Sequence, residues 1–322
     1  MRVWGYNRPR QYDQWRYFTP PLGICPMALA VDGERLVGAY TLWPVKIRIG
    51  NDTVHGGQSM DTMTDPDYGR QGIFTALAAA CYEIAAARGF QVLYGFPNPL
   101  SYPGFVGKLG WTHAGDVTHW VRPVRPSGHG KIPKLAGPLV DLAARLLPTG
   151  RLGGLEIIPG KPDSGDLDQL IASEVASLGL CGIERSTAWF DWRYADQAEN
   201  TYRWISAYRN GQLLACGAWG MQSPAWGAVA DNRAHLVELL GTDAQGIQAV
   251  LSAIIGEAVK ARAIVLETLC NVERITAALR RAGFFRHRQA PFIVRGLGAL
   301  ATDTDILDPA NWKIMGGDVD TF

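Results

Sequence analysis

Residues 58–77 read as a β-strand that runs through a glycine-containing turn into an α-helix. Gly69 and Gly72 lie in the turn, and the helix is predicted to begin near Gly72. The first N–H groups of a helix have no intrahelical partner and lie at the positive end of the helix dipole. The segment therefore predicts a binding site for an anion such as a diphosphate, with Arg70 as an added positive charge. An ordinary turn before a core helix would have a similar sequence, so the flanking residues must distinguish an anion site from such a turn.

The sequence on both sides of this turn predicts a β-sheet. Three runs rich in β-branched and apolar residues, at 27–31, 35–50 and 53–64, are separated by short polar turns, which is typical of hairpins. After the turn, apolar residues at helical spacing predict a helix that ends at Gly89, followed by a buried strand at 90–95. The predicted order is a meander, the turn, a helix and a strand.

The same order occurs twice in the chain. Gln-Gly-Ile at 71–73 opens the first helix, and Gln-Gly-Ile at 245–247 opens a second one, followed by a predicted strand at 263–269 and another short helix. This internal repetition predicts two similar units in tandem. The second turn carries Asp243 and no basic residue, and an aspartate beside a diphosphate is unfavourable. We therefore assign the anion site to the N-terminal copy, with the C-terminal copy as the alternative.

The elements and motifs of residues 27–122 resemble those of the GNAT acyltransferase superfamily. The turn from Gly69 to Phe74 resembles the family's acetyl-CoA pyrophosphate loop, and Asn98 resembles the Asn that precedes a short helix in that family. Two positions depart from the family pattern. Gly69 stands where the family has Arg or Gln, and Phe74 stands where it has a small residue.

The resemblance implies an α/β (α+β) fold made of two tandem GNAT-like mixed β-sheet domains flanked by helices. It places an N-terminal acyl-CoA-binding domain over residues 1–125, a linker over 126–154 and a degenerate C-terminal domain over 155–298. The tail, residues 299–322, is expected either to fray or to return to the active-site cleft.

The resemblance also implies acetyl-CoA as co-substrate and no metal. Backbone amides at the end of the strand would polarise the thioester carbonyl. The residues predicted to bind the cofactor lie at that strand end, in the turn, in the first helical turn and after the next strand: Met63, Thr64, Gly69, Arg70, Gln71, Gly72, Ile73, Phe74, Thr75 and Asn98.

Amine acylation needs a base for the ammonium proton and a proton donor for the departing thiolate. The position at which GNAT enzymes often have a tyrosine donor is Val106 in this chain. Three other residues are candidates for these functions: Asp61 on the strand before the turn, Tyr102 at the start of the next short helix, and His119 in strand-like sequence. Each could instead have no catalytic function: Asp61 could be a solvated carboxylate, Tyr102 an ordinary turn residue and His119 a core residue.

Residues near the acceptor are predicted from two further motifs. Trp192, Arg193 and Tyr194 combine aromatic surfaces with a positive charge, and Asp318 and Asp320 in the tail could bind a cationic amine. These motifs resemble those of tandem GNAT proteins associated with bacterial surface-polysaccharide synthesis, whose acceptors are amino sugars or nucleotide-linked amino sugars. Aromatic clusters are also common in protein cores, so a structural function stays open.

The predicted activity is that of an acetyl-CoA-dependent N-acetyltransferase, in which the primary amine of a small molecule, preferably an amino sugar, attacks the thioester directly. One alternative is a Fem-type aminoacyl transferase, which would use aminoacyl-tRNA and would not need the phosphate turn. Another is a non-catalytic protein that binds acyl-CoA or a sugar without turnover.

Charge and composition argue against nucleic acid and a membrane span as further features of this protein. The formal net charge of +1 gives no overall field that would favour nucleic acid. No run of about 18 apolar residues occurs, so no membrane span is expected, and the oligomeric state is not predicted. Residues 135–147 in the linker could form a short amphipathic helix, expected to pack at the domain junction, with membrane contact as the alternative. Five cysteines without metal-site spacing indicate free thiols and a cytoplasmic location: Cys25, Cys81, Cys181, Cys216 and Cys270.

Overall fold

The structure is a computed structural model that describes residues 8–149, 154–178, 181–195, 201–221 and 232–321. The chain divides into two compact units. The first comprises the described residues within 1–117, 180–184 and 290–312, and the second those within 118–179, 185–289 and 313–322.

The elements follow one another in a mixed α/β order. The N-terminal half contains α1 (Arg10–Asp13), β1 (Met27–Asp32), β2 (Arg35–Ile49), β3 (Asp52–Thr64), α2 (Ile73–Ala87), β4 (Phe90–Gly95), α3 (Tyr102–Lys108), β5 (Thr112–Pro123) and α4 (Gly137–Arg145). The C-terminal half contains β6 (Glu156–Pro159), α5 (Ser164–Leu178), β7 (Gly182–Ile183), α6 (Thr187–Arg193), β8 (Tyr202–Arg209), β9 (Gln212–Met221), β10 (Arg233–Gly241), α7 (Ala244–Lys260), β11 (Val265–Leu269), α8 (Glu273–Arg281) and β12 (Phe285–Gly296).

The sheet of the first unit is mixed. Strands β1, β2 and β3 form the predicted antiparallel meander, and β4 pairs parallel to β3. Strand β12 pairs antiparallel to β4, and the short β7 pairs with β2. Gly33 and Gly50, in the two hairpin turns, both have positive φ angles, which glycine adopts without strain. The predicted hairpins are therefore confirmed.

The sheet of the second unit has the same sequence of pairings. Strands β6, β8, β9 and β10 are successive antiparallel neighbours, β11 pairs parallel to β10, and β5 pairs antiparallel to β11. Each unit thus consists of a meander, one parallel pair and a final antiparallel strand. The predicted class, a mixed α/β fold with helices flanking mixed strands, is confirmed.

The limits of the units differ from the predicted domains of residues 1–125 and 155–298. Residues 290–296 of β12 belong to the first unit, where Ile293 pairs with Gly95 of β4. Residues 118–123 of β5 belong to the second unit, where His119 pairs with Leu269 of β11. Strand pairing is set by hydrogen-bond partners that can be distant in sequence, so the order of elements alone did not reveal this assignment.

Each unit has its own apolar core beneath one long helix. In the first, Leu77 and Cys81 of α2 pack with Tyr40 and Leu42 of β2. In the second, buried apolar side chains of α7 pack against those of β10 and β11. The five cysteines are buried and free. Among the described helices, none is both long and apolar enough to cross a membrane.

Candidate active site

The parallel strands β3 and β4 are paired over only part of their length. The described register runs from His55 opposite Phe90 to Gln58 opposite Tyr94. Beyond Gln58, β3 continues to Thr64 and is paired on its other side with β2. The edge of residues 59–64 that faces away from β2 therefore lies outside the described pairing with β4. Such an edge can bind an extended ligand through backbone hydrogen bonds.

The turn after β3 has two residues in the left-handed region. Arg70 has a φ of 63°, and Gly72, the N-cap of α2, has a φ of 79° and a ψ of 3°. The Thr75 hydroxyl donates to the carbonyl oxygen of Gly72 at 2.8 Å, and the Ala76 amide bonds the same oxygen at 3.0 Å. The amides of residues 73–75 belong to the first helical turn, where N–H groups are available to an anion.

A salt-bridge cluster holds this turn in place. Arg35 donates to Asp65 at 2.6 Å and to Asp67 at 3.2 Å. Asp65 also accepts a hydrogen bond from the amide of Asp67 at 3.1 Å, which closes a short 3-10 turn. The Tyr68 hydroxyl donates to Asp32 of β1 at 2.5 Å. Arg35 therefore engages both acidic residues before the glycines, and Tyr68 ties the turn to β1.

A cavity of about 620 Å³ opens beside the turn. Except for Gln71, every residue predicted to bind the cofactor lines it. Sequence reasoning missed six of its lining residues: Thr62, Tyr68, Leu100, Ser101, Gly104 and Lys108. Helical spacing could have found three of these, because positions 101, 104 and 108 lie on one face of α3. The cavity has two exposed cationic side chains, those of Arg70 and Lys108.

Phe74 fits at this position because its neighbour on α3 is a glycine. A Cβ on Gly104 would lie 2.7 Å from the Phe74 ring, and that ring makes an edge contact with Phe105 at 5.4 Å. The bulky side chain is thus accommodated by α3. Asn98 also lines the cavity, and its Oδ1 atom accepts hydrogen bonds from the amides of Leu100 and Ser101 at 2.9 and 3.0 Å. Asn98 therefore fixes the turn that leads into α3.

A second cavity, of about 650 Å³, shares Met63 with the first. Its walls are largely apolar and include Phe18, Leu29 and Leu36, each of which is about half exposed. Charged side chains also line it: Arg8, Asp13, Arg35, Asp61 and Asp65. The two cavities therefore meet at the end of β3.

Asp61 lies at a β-bulge in β3. Ala39 is opposite Met63 and Thr41 is opposite Met60, so β3 contains one residue more than β2 at this point. Asp61 has a φ of 46°, a left-handed conformation that an aspartate tolerates better than most residues. Bulges of this kind redirect side chains and are frequent beside active sites.

Three donors from the N-terminal segment surround the Asp61 carboxylate. Its Oδ2 atom accepts from Arg16 Nε at 2.7 Å, from the Tyr17 hydroxyl at 2.6 Å and from Arg8 Nη1 at 3.0 Å. Burial opposes ionisation, but the charges of Arg16 and Arg8 outweigh it and lower the pKa of Asp61 to about 2. A carboxylate this strongly stabilised as an anion is a weak base. The geometry therefore favours a positioning function for Asp61 over the predicted proton transfer.

The other two predicted catalytic residues lie outside the lining of both cavities. The Tyr102 ring packs edge-on against His113, with a centroid distance of 5.7 Å. His119 lies in the second unit, where it is buried and its Nε2 atom is 3.8 Å from Glu267. Burial lowers the pKa of His119 to about 4 although Glu267 raises it, so the ring is neutral near pH 7.

The predicted acceptor residues are brought together within the second unit. Arg193 donates to the carbonyl oxygens of Gly317 and Val319, both at 3.2 Å. The Tyr194 hydroxyl donates to Glu238 at 2.9 Å, and Trp192 is buried. Asp318 is buried too, and it pairs with Arg185 at 2.7 Å, while Asp320 is half-buried. These contacts join the aromatic and basic motif to the tail in one network.

The second unit differs from the first at the end of its parallel strand pair. Where the first unit has the edge of β3 beyond its pairing with β4, the second has residues of the C-terminal tail. The described parallel pairing of β10 with β11 ends at His235 opposite Glu267, and just beyond it Met315 forms an antiparallel bridge with Cys270. A Cβ on Gly317 would overlap the Tyr194 hydroxyl. The chain's own residues 313–319 therefore occupy this space.

The second helix N-terminus is also occupied by the chain itself. Asp243 is the N-cap of α7, and its Oδ1 atom accepts a hydrogen bond from the amide of Gly246 at 2.7 Å. This aspartate puts a negative charge where an anionic ligand would approach the helix. The two turns thus differ in charge and in the availability of their amides.

A parallel strand pair of limited length, followed by a left-handed glycine turn and a helix, defines the first unit as a GNAT-like fold. Residues 1–114 of the 322-residue chain match the family described as acetyltransferase (GNAT) domain. No curated protein matches the sequence.

Several solved structures share the fold. A GCN5-related N-acetyltransferase from Anabaena variabilis ATCC 29413 is 11% identical, with a TM-score of 0.59 over 86% of this chain and 64% of its own. A conserved protein of unknown function from Enterococcus faecalis V583, a probable N-acyltransferase, is 12% identical, with a TM-score of 0.57 over 84% and 62% of the two chains. A GCN5-related N-acetyltransferase from Kribbella flavida is 13% identical, with a TM-score of 0.56 over 84% and 59%. The chain spans less than two thirds of the length of each, and at these identities the likeness concerns the fold.

Proposed function

We propose that the protein is an N-acyltransferase that uses acetyl-CoA to acylate the primary amine of a small molecule. The observation that carries this proposal is the cavity at the N-terminus of α2, which combines available helix amides, the left-handed turn at Gly72 and the cations Arg70 and Lys108. A diphosphate bound there would interact with the helix dipole and with both side chains.

The rest of the acetyl-CoA molecule would follow β3. The pantetheine arm would run along the edge of residues 59–64 and place the thioester near Met63, where the two cavities meet. The neutral acceptor nitrogen would form a bond to the thioester carbon while the carbon–sulfur bond breaks, and the proton that the nitrogen loses would pass to the departing sulfur, so that CoA leaves as the thiol. Backbone amides near Met63 and Thr64 would stabilise the oxyanion of the transition state.

The second cavity is the proposed acceptor site. Three carboxylates line it: Asp13, Asp61 and Asp65. The side chain of Asp13 is 32% exposed, whereas those of Asp61 and Asp65 are 11% and 6% exposed. Burial raises the pKa of Asp13 although Arg8 lowers it, so Asp13 is a better proton acceptor than Asp61. We propose Asp13 as the group that binds the acceptor ammonium.

The walls of this site favour an amine with an apolar body. Phe18, Leu29 and Leu36 offer apolar contacts and no hydrogen bonds to a sugar hydroxyl. The amino-sugar acceptor, proposed from sequence resemblance, depends on Trp192 and Arg193, whose described contacts lie within the second unit. A matched screen of arylalkylamines and amino sugars, scored by thiol release from acetyl-CoA, would decide between the two classes.

The test of the main proposal is isothermal titration of the full chain with acetyl-CoA, together with thermal unfolding. We expect one molecule bound per chain, because Asp243 and the tail fill the corresponding places in the second unit, and an increase in melting temperature that follows from mass action. Arg70→Glu and Gly72→Asp should each weaken binding. Arg262→Glu is the matched control, since Arg262 is also an exposed arginine with a positive φ, 57° against 63° for Arg70.

Each alternative has a distinct outcome in these experiments. No heat and no stabilisation with any acyl-CoA would contradict the acyltransferase proposal and favour a Fem-type aminoacyl transferase. Tight binding without thiol release in either amine class would favour a non-catalytic binding protein.

A further inference from the structure

Helix α4 has its apolar face turned towards solvent. Leu139, Leu142 and Leu146 are 70%, 53% and 77% exposed, and Leu135, just before the helix, is 96% exposed. Surface helices normally bury the apolar stripe and expose the polar one. The expectation that this segment packs its apolar face at the domain junction is wrong, because these leucines are accessible.

The opposite face of α4 is fixed to the second unit by small and polar residues. Ala144 and Gly137 are buried. Asp141 accepts hydrogen bonds from the Ser127 amide at 2.8 Å and from its hydroxyl at 2.6 Å. The orientation of the helix is therefore set by specific contacts, and these contacts direct the leucines outwards.

Three of the leucines form a stripe along α4. Leu139, Leu142 and Leu146 are three and four residues apart, which places them on one side of the helix, and Leu135 lies in the turn just before it. A contiguous exposed apolar patch on a folded protein is characteristic of an interaction surface. The helix is nine residues long, about 14 Å, so it can lie along an apolar layer and cannot span one.

Positive charges flank the stripe. Lys131, Lys134 and Arg145 are exposed, and the one carboxylate in residues 126–149 is Asp141, which is bonded to Ser127. On a helical projection Arg145 lies beside the leucine stripe, and Lys134 lies in the turn that leads into α4. This arrangement of an apolar stripe beside cations is complementary to an anionic lipid surface.

We propose that α4 binds the surface of an anionic membrane, with its leucines in the interface and Lys134 and Arg145 beside lipid phosphates. A second copy of the chain fits the stripe less well. Four side chains are few against the roughly 20 to 30 residues a side of a standard protein interface, and the cations of two copies would repel each other in a parallel pairing. The proposal is independent of the acyltransferase function.

The test is cosedimentation of the full chain with vesicles of 30% phosphatidylglycerol and 70% phosphatidylcholine, and with vesicles of phosphatidylcholine alone. We expect binding to the anionic vesicles that falls with added salt, and little binding to the neutral ones. The double variant Leu139→Glu/Leu142→Glu should reduce binding at least tenfold, and Lys134→Glu several-fold. Val259→Glu, at an exposed apolar residue of α7, is the matched control and should bind like the unmodified chain.

Folding is checked by thermal unfolding of the same variants, whose melting temperatures should be close to that of the unmodified protein because the substituted leucines are exposed. Failure of the unmodified chain to bind anionic vesicles would overturn the proposal, as would full binding by the double variant. A dimer in light scattering that the double variant abolishes, without vesicle binding, would assign the stripe to self-association instead.

Discussion

The Nε atom of Arg16 lies 2.7 Å from the Oδ2 atom of Asp61, and this contact attaches the N-terminal segment to the bulge of β3. Arg16 is 1% exposed, so the pair is buried, and Arg8 and Tyr17 complete it. The same strand continues into the turn that we propose binds the diphosphate. A contact between residues far apart in sequence therefore holds Asp61 in the wall of the second cavity.

Replacing Asp61 by Asn should destabilise the protein by about 3 kcal/mol, because buried arginine charges would lose their anionic partner. The measurement is urea unfolding at pH 7, with Asp52→Asn in the exposed hairpin turn as control. The pKa of Asp61 is lowered from 3.8 to about 2, so its contribution is fully present above pH 4 and should be lost as the pH falls through about 2. A free energy of unfolding equal to that of the control variant would contradict this assignment.

Lys108→Glu should weaken acetyl-CoA binding about tenfold, because it replaces an attractive charge in the proposed diphosphate site by a repulsive one. The loss should become smaller as salt is added, since exposed charges are screened. Titration calorimetry at two salt concentrations measures both effects. Lys260→Glu is the matched control, since Lys260 is also the last residue of its helix, and unchanged affinity is expected there.

His119 should make stability depend on pH in the window between 6.5 and 4. Burial lowers its pKa to about 4, so the unfolded chain binds more protons than the folded one in this window. Stability is therefore full above pH 6.5 and should fall by about 3 kcal/mol as the pH drops to 4. His119→Asn should flatten this dependence relative to the exposed control His55→Asn, as measured by urea unfolding at several pH values. If the pH profile of kcat/KM changed in His119→Asn, the assignment of His119 to the core would be wrong.

Gly317→Ala should lower the free energy of unfolding by about 2 kcal/mol, because the added methyl group would overlap the Tyr194 hydroxyl and lie 2.8 Å from Glu238. Gly256→Ala in α7 is the matched control. Nothing lies within 4 Å of its added Cβ, and alanine should stabilise this helix by about 0.5 to 1 kcal/mol. Guanidinium unfolding of both variants measures the difference, and equal stabilities would exclude tight packing of the tail.

The local part of the site could be predicted from sequence. Gly72 was expected at the start of α2 and is its N-cap, and Gly89 was expected just past the end and has the positive φ of a helix C-terminus. These features depend on neighbouring residues and on the backbone conformations that glycine adopts without strain. The negative charge of the turn before α7 could likewise be predicted from local sequence, and Asp243 of that turn is the N-cap of α7.

The catalytic and acceptor residues were harder to predict because side-chain surroundings depend on distant segments. Strand alternation could not show that a bulge redirects Asp61 towards Arg16, which is 45 positions earlier. Similarly, the composition of the motif at Trp192 and Arg193 indicated a ligand site, whereas the described partners of Arg193 include carbonyl groups of the tail.

The sequence by itself determined the elements, their order, their repetition and the chemistry of the two turns, since hydrophobic period, glycine and capping residues act over a few positions. Only the tertiary structure decided which unit receives the ends of β5 and β12, which cleft the tail fills, and that α4 presents its leucines to solvent. Backbone pairing and burial are settled by whichever distant segments satisfy each other's hydrogen bonds and apolar surfaces, and that choice has no local signature in the chain.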